Sequence, residues 1–187
     1  MTLPPVFRRM MNRLAGLIPG LVLAAAAAPA LAGGPVPAFS FPSIDGGTLD
    51  TADWRGKPVL VVNTASRCGY TRQYEDLQAL QDAYDGRAVV LAVPSDDFRQ
   101  ELATNDEVKS FCEVNFGLTL PMTTIQHVAK GDLHPFYAWV QGEQGFTPGW
   151  NFNKVLIGPD GSFVQAWGSA TKPESAAITK AIDALLP

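Results

Sequence analysis

A chain of 187 residues, 47% of them hydrophobic, is long enough for one domain with a packed core and too short for several. It carries 14 Lys+Arg against 18 Asp+Glu, a net charge of −4, and its only basic cluster is Arg8, Arg9 and Arg13 at the start. That balance argues against nucleic acid and anionic membrane surfaces as partners.

The first 32 residues differ from the rest. The three arginines precede an almost wholly apolar stretch, Leu14 to Ala28, and Ala30-Leu31-Ala32 follows with small residues at the two positions a signal peptidase reads. Basic, then apolar, then A-x-A describes a secretory signal peptide over residues 1–32, cleaved after Ala32. The rival reading is a retained membrane anchor, but Pro19 and Gly20 interrupt a run already short and Ala-rich for a span of about 20 residues. Cleavage places the mature protein in the periplasm or outside the cell. It removes three of the 14 cations, leaving 11 against 18 acids and a net charge of −7. Residues 33–38 read as a Gly/Pro linker and residues 39–187 as the folded domain.

Within that domain, Phe39 to Thr51 predicts a hairpin turning at Asp45-Gly46-Gly47. Pro58 to Thr64, PVLVVNT, is the continuous apolar run of a strand buried on both faces. A helix follows Cys68-Gly69, with Thr71 as its N-cap and Tyr74, Leu77, Leu80 and Tyr84 on its inner side. Ala88 to Pro94 is a second buried strand. Thr104-Asn105-Asp106-Glu107 is a capping box opening a helix that carries Val108, Phe111, Cys112 and Phe116 and stops at Gly117. A short helix follows His134-Pro135. Phe152 to Ile157 and Phe163 to Trp167 form strands joined by the Pro159-Asp160-Gly161 turn. Thr171 to Glu174 is a second capping box, before a last helix with Ile178, Ile182 and Leu185 inward. The order predicts an α/β fold: a thioredoxin-like mixed β-sheet flanked by helices on both faces.

The chemistry centres on Cys68, in the loop between a buried strand and the next helix. In open α/β sheets ligands bind at this end of the strands. The N–H groups of a helix start, with Arg67 and Arg72 alongside, favour the nucleophilic thiolate. Two cysteines in an exported protein first suggest a disulfide between Cys68 and Cys112. Cys68-Gly69-Tyr70-Thr71 is not C-x-x-C, which argues against a dithiol oxidoreductase. A lone activated cysteine suits attack on an O–O bond, leaving a sulfenic acid, with neutral side-chain donors around the reacting atoms. His127 and His134 stand alone, without metal-ligand spacing.

The sixteen residues Gly56 to Thr71, GKPVLVVNTASRCGYT, resemble the active-site signature of glutathione peroxidases. Trp150-Asn151-Phe152 is similar to that family's W-N-F block, Phe98-Arg99-Gln100-Glu101 to its F-G-x-Q-E block, and Leu133 to Tyr137 to its H-P-L-Y helix start. The resemblance covers residues 39–186. It implies a catalytic tetrad of Cys68, Gln100, Trp150 and Asn151, with cysteine in the place of selenocysteine. It implies no bound cofactor. The reductant is an external thiol, glutathione or a thioredoxin-like protein, and the substrates are hydrogen peroxide and organic or lipid hydroperoxides. The chain departs from the pattern in three places. Val93 to Phe98 reads V-P-S-D-D-F rather than F-P-C-N-Q-F, the step from Phe98 to Gln100 is one residue short, and Leu102 stands where the family has proline. The segment from Gly117 to Trp150 lacks the long insertion that accompanies tetramers in the family, which implies a monomer.

Cys112 has two readings, an inert cysteine on an apolar helix stripe or a resolving cysteine for Cys68. At the level of function, the alternatives to a peroxidase are a thiol–disulfide partner or binding protein on the same fold, and a copper-delivery module. The missing C-x-x-C and the Trp150-Asn151 pair disfavour the first, and the lack of a second thiol beside Cys68 disfavours the last.

Overall fold

A computed structural model describes residues 37–187 of the chain. The expected signal peptide, and all but the end of the expected linker, lie outside the described residues.

Apolar alternation and turn chemistry build the domain. Ser40–Pro42 (β1) and Thr48–Asp50 (β2) pair antiparallel as the expected hairpin. Val59–Thr64 (β3) and Val89–Pro94 (β4) are buried at every position, as strands covered on both faces must be. They run parallel, joined through the helix Gln73–Tyr84 (α1). After β4 come Asn105–Phe116 (α2) and Pro135–Gln144 (α3). Lys154–Ile157 (β5) then pairs antiparallel with β3, and Phe163–Trp167 (β6) with β5. Ala176–Asp183 (α4) closes the chain. The four-stranded sheet has the order β4-β3-β5-β6, a mixed sheet as the element order predicts.

Successive strand residues face opposite sides, so two cores form. Leu60 and Val62 pack with Tyr74, Leu77, Val108, Ile178 and Ile182 on the side of α1, α2 and α4. Val59 and Val61 pack with Phe41, Phe136 and Val140 on the side of the hairpin and α3. Each fully buried Leu, Ile or Phe contributes about 1.5–3 kcal/mol to holding these layers together.

Three helix-end expectations differ from the structure. Arg72, not Thr71, is the N-cap of α1, and the Thr71 hydroxyl instead receives the Cys68 N–H and donates to the Ala65 carbonyl. The capping box at Thr171 does not form. The Thr171 carbonyl is taken by the Lys154 ammonium at 2.6 Å, which holds the segment as a loop, and α4 begins after Ser175. Leu185 lies beyond the end of α4, half-buried against the core. By contrast, the Thr104–Glu107 capping box is present in full, and Gly117 ends α2 in the left-handed conformation at φ 60°.

Candidate active site

β3 ends at Thr64 and the chain turns sharply at Cys68, whose side chain is 9% exposed. Three contacts shape the turn. The Thr71 Oγ1 receives the Cys68 N–H at 3.0 Å and donates to the Ala65 carbonyl at 2.9 Å, while the Thr71 N–H donates to the Cys68 carbonyl at 3.1 Å. The Tyr70 N–H reaches the Cys68 Sγ at 3.4 Å. The donor that the helix start was expected to supply therefore comes from the turn before α1. The N–H groups of Gln73, Tyr74 and Glu75 are used by the carbonyls of Tyr70, Thr71 and Arg72. Arg67 and Arg72 are both exposed.

The other expected site residues arrive on two further segments. The Gln100 carbonyl receives the Arg67 N–H at 2.8 Å, which brings the 100–101 turn against the cysteine loop. The Gln100 Oε1 receives the Asn151 Nδ2 at 3.0 Å, so these two amides meet side by side. Asn151 is wholly buried, and its Oδ1 has no hydrogen-bond partner. Trp150 is 41% exposed, which is poor service for a packing residue of its size. One ring neighbour, Phe98, lies at 5.4 Å, and the indole N–H has no partner among the described residues.

The chain reaches these positions by way of an unusual backbone. Arg99 (φ 59°) and Phe152 (φ 61°) are non-glycine residues held in the left-handed region. One precedes Gln100 and the other follows Asn151. Such conformations cost about 1–3 kcal/mol each and persist where the surroundings over-determine them.

Asn63, a polar residue inside the apolar run of β3, ties the segments together. Its Nδ2 donates to the Trp150 carbonyl at 3.0 Å, its Oδ1 receives the Asn153 N–H at 3.1 Å, and its carbonyl receives the Phe152 N–H. Ser169 donates to the Asn151 carbonyl at 2.6 Å and accepts from Asn153 at 2.9 Å. Lys154, fully buried in β5, donates to Gln73 Oε1 and the Thr171 carbonyl, and burial pulls its ammonium down to about 8. None of Asn63, Ser169 and Lys154 was expected to serve the site, although a lone asparagine in an otherwise apolar buried strand is a readable signal.

Cys68 and Cys112 are both free thiols, so the structural disulfide is not formed. Cys112 is 2% exposed in the interior of α2, and burial pushes its thiol up to about 12. The structure thus brings Cys68, Gln100 and Asn151 to one end of the sheet, with Trp150 at the rim, and leaves Cys112 in the core below.

A groove of about 330 Å³ opens beside the Cys68 turn, lined among others by Gly69, Tyr70, Arg72, Gln73 and Lys172. Arg72 and Lys172 put cations on it, and Glu75 and Asp76 put acids there.

A sequence model described as "Glutathione peroxidase" matches residues 36–141. The glutathione peroxidase of Lactococcus lactis subsp. cremoris is 37% identical over 142 residues, covering 73% of this chain and 90% of its own length. The hydroperoxy fatty acid reductase gpx1 of Synechocystis sp. is 35% identical over 154 residues, covering 74% of this chain and 89% of its own. Among solved structures, the apo crystal structure of Trgpx superposes with a TM-score of 0.60 at 34% identity, over 80% of this chain and 96% of that one. With the mixed sheet and the cysteine turn in place, these likenesses establish that the chain belongs to the glutathione peroxidase family.

Proposed function

We propose that the protein is a thiol-dependent peroxidase that reduces hydroperoxides through Cys68. The observation that carries this reading is the constellation at the carboxyl end of β3, where the Cys68 turn is held against the Gln100–Asn151 amide pair beside an exposed Trp150. The family membership and the peroxidase and hydroperoxide reductase names of the relatives support it.

The Cys68 thiolate attacks one oxygen of the O–O bond. An S–O bond forms as the O–O bond breaks, the sulfur is oxidised by two electrons, and the peroxide leaves as alkoxide that takes up a proton as alcohol or water. The Tyr70 N–H already donates to the sulfur. The Trp150 indole and the Asn151 and Gln100 amides are neutral donors that hold the developing charge without titrating. An external thiol then condenses with the sulfenic acid, releasing water and forming a mixed disulfide. A second thiol attacks the donor sulfur of that disulfide, forming the donor disulfide and releasing the Cys68 thiolate. The groove beside Tyr70 and Arg72 is the open side for that donor.

Substrates of this reading are hydrogen peroxide and organic or lipid hydroperoxides, and donors are glutathione or a thioredoxin-like protein, with no bound cofactor. The protein acts as a monomer, exported to the periplasm or secreted after cleavage near Ala32, where it protects against oxidative damage. Steady-state turnover of the mature protein with several peroxides and both donors tests the reading. Consumption of peroxide by thiol supports it. Reduction of insulin disulfides without peroxide consumption would make the chain a thiol–disulfide partner instead.

In place of the external thiol, Cys112 is the candidate resolving cysteine, its rival reading being an inert core thiol. Its attack on the Cys68 sulfenic acid forms the disulfide and releases water. The thiol is buried within α2, so the helix must open first. The outer surface of α2 is polar apart from an exposed Val114, and the Lys109–Asp45 ion pair at 2.6 Å is a surface contact that opening breaks.

A further inference from the structure

Glu101 follows Gln100 and is 5% exposed. A carboxylate this deep requires partners. Its Oε1 accepts the Leu102 N–H at 2.8 Å and the Ser66 N–H at 3.0 Å. Ser66 stands two residues before Cys68. One position further on, the Arg67 N–H donates to the Gln100 carbonyl at 2.8 Å. Two consecutive N–H groups leading into the cysteine are thus held by two consecutive residues of the 100–101 turn. The first goes to a side chain and the second to a backbone carbonyl, so only the first can be removed by substitution.

The loop from Ala65 to Cys68 has no strand partner, and its polar groups are met one by one. Ala65 gives its carbonyl to Thr71, Ser66 its N–H to Glu101, Arg67 its N–H to Gln100, and Cys68 its N–H to Thr71. Gln100 is the residue whose amide meets Asn151. The Glu101 bond therefore ties the loop that carries Cys68 to the segment that carries Gln100.

We infer that Glu101 is a positioning residue for Cys68, acting through the Ser66 N–H, which rests on the peroxidase reading of the site. The placement of its charge is costly, which argues that it is there for the loop. Its second oxygen, Oε2, is buried without a hydrogen-bond partner. Burial raises the Glu101 carboxyl above its ordinary range, opposed by its contacts with Ser66 and Leu102. In return, hydrogen bonds to an ionised acceptor are shorter and roughly twice as strong as neutral ones. Glutamine at this position keeps the Oε1 acceptor and places an NH2 where the buried Oε2 stands. Alanine removes the acceptor altogether, and aspartate draws it back by one methylene.

The experiment measures, for the full mature protein and for Glu101→Ala, Glu101→Gln and Glu101→Asp, the single-turnover rate constant of Cys68 with hydrogen peroxide and the thermal midpoint. A misplacement of 1 Å costs a reaction about 100-fold, so Glu101→Ala should lose at least about tenfold in rate per folded molecule. Glu101→Gln should rescue it to within about threefold of wild type, and Glu101→Asp should lose at least about threefold. A lowered midpoint with an unchanged rate in Glu101→Ala would make the residue a stability element and overturn the inference. Should the alanine variant not fold, a wild-type rate in Glu101→Asp overturns it equally. A wild-type protein inert to peroxide would sink the peroxidase reading itself, whereas an active wild type with indifferent variants sinks only the role of Glu101.

Discussion

On the proposed reading, Trp150 and Asn151 are neutral donors to the chemistry at Cys68, and each can be removed singly. Trp150→Phe takes away an indole N–H that no described residue uses, and Asn151→Ala takes away an amide that meets Gln100. A preorganised donor of this kind contributes about 2.7–4 kcal/mol to a developing charge, less where water replaces it, so each variant should lose at least about tenfold in the second-order rate with peroxide. Rates unchanged in both would reduce the Trp150-Asn151 pair to packing. Glu101 adds a pH dependence of definite sign. Its carboxyl is raised in the folded protein, so the stability it lends is present below the ordinary carboxyl range and is lost as pH rises through the raised value. Thermal midpoints of Glu101→Gln relative to wild type should therefore climb with pH over that window, and a constant difference would contradict it. At this scale Cys68, Gln100, Trp150 and Asn151 were pointed to by separate short blocks that resemble the family's, at residues 56–71, 98–101 and 150–152. Glu101 was legible only as part of a block, and the service of Asn63 and Ser169 was not, because it depends on which backbone groups the fold leaves unpaired.

Helix and turn residues show the same divide. The Thr104 capping box was readable because both partners lie within one turn and nothing else competes for them. Thr71 was expected only as an N-cap and Thr171 as the start of a capping box, yet the Thr71 hydroxyl serves the Cys68 turn three residues before it and Thr171 yields its carbonyl to Lys154 on β5. Thr104→Ala should cost about 1 kcal/mol. If α2 must open for Cys112 to reach Cys68, that cost should raise disulfide formation after one equivalent of peroxide about fivefold, and an unchanged rate would separate Cys112 from the cycle. The turn before Gln100 supplies a second test. Arg99 is exposed and left-handed, where the chain is one residue shorter than its family's pattern. Glycine has no Cβ penalty there, so Arg99→Gly should stabilise the protein by about 1 kcal/mol in denaturant titrations, and a loss of stability would show that the arginine side chain makes up for its backbone.

The whole molecule follows from two buried parallel strands that bring a cysteine loop to one end of a covered sheet. The element order and the parallel pairing of those strands were readable from apolar runs and helix periodicity, whereas the β4-β3-β5-β6 order came from the structure. What surrounds the fold rests on the leader. The basic, apolar and A-x-A order predicts a native protein beginning at Gly33. Mass spectrometry of the N-terminus checks this, and a membrane-bound chain with the leader intact would favour the anchor. The central claim is that Cys68 is the atom-transferring thiol. Adding one equivalent of hydrogen peroxide to the reduced mature protein and mapping both cysteines by peptide mass spectrometry tests it most directly. The account predicts that Cys68 is oxidised first, as a trapped sulfenic acid or a Cys68–Cys112 disulfide, and that Cys68→Ser consumes no peroxide. A Cys68 that stays reduced while peroxide disappears, or a serine variant that still turns over, would contradict it.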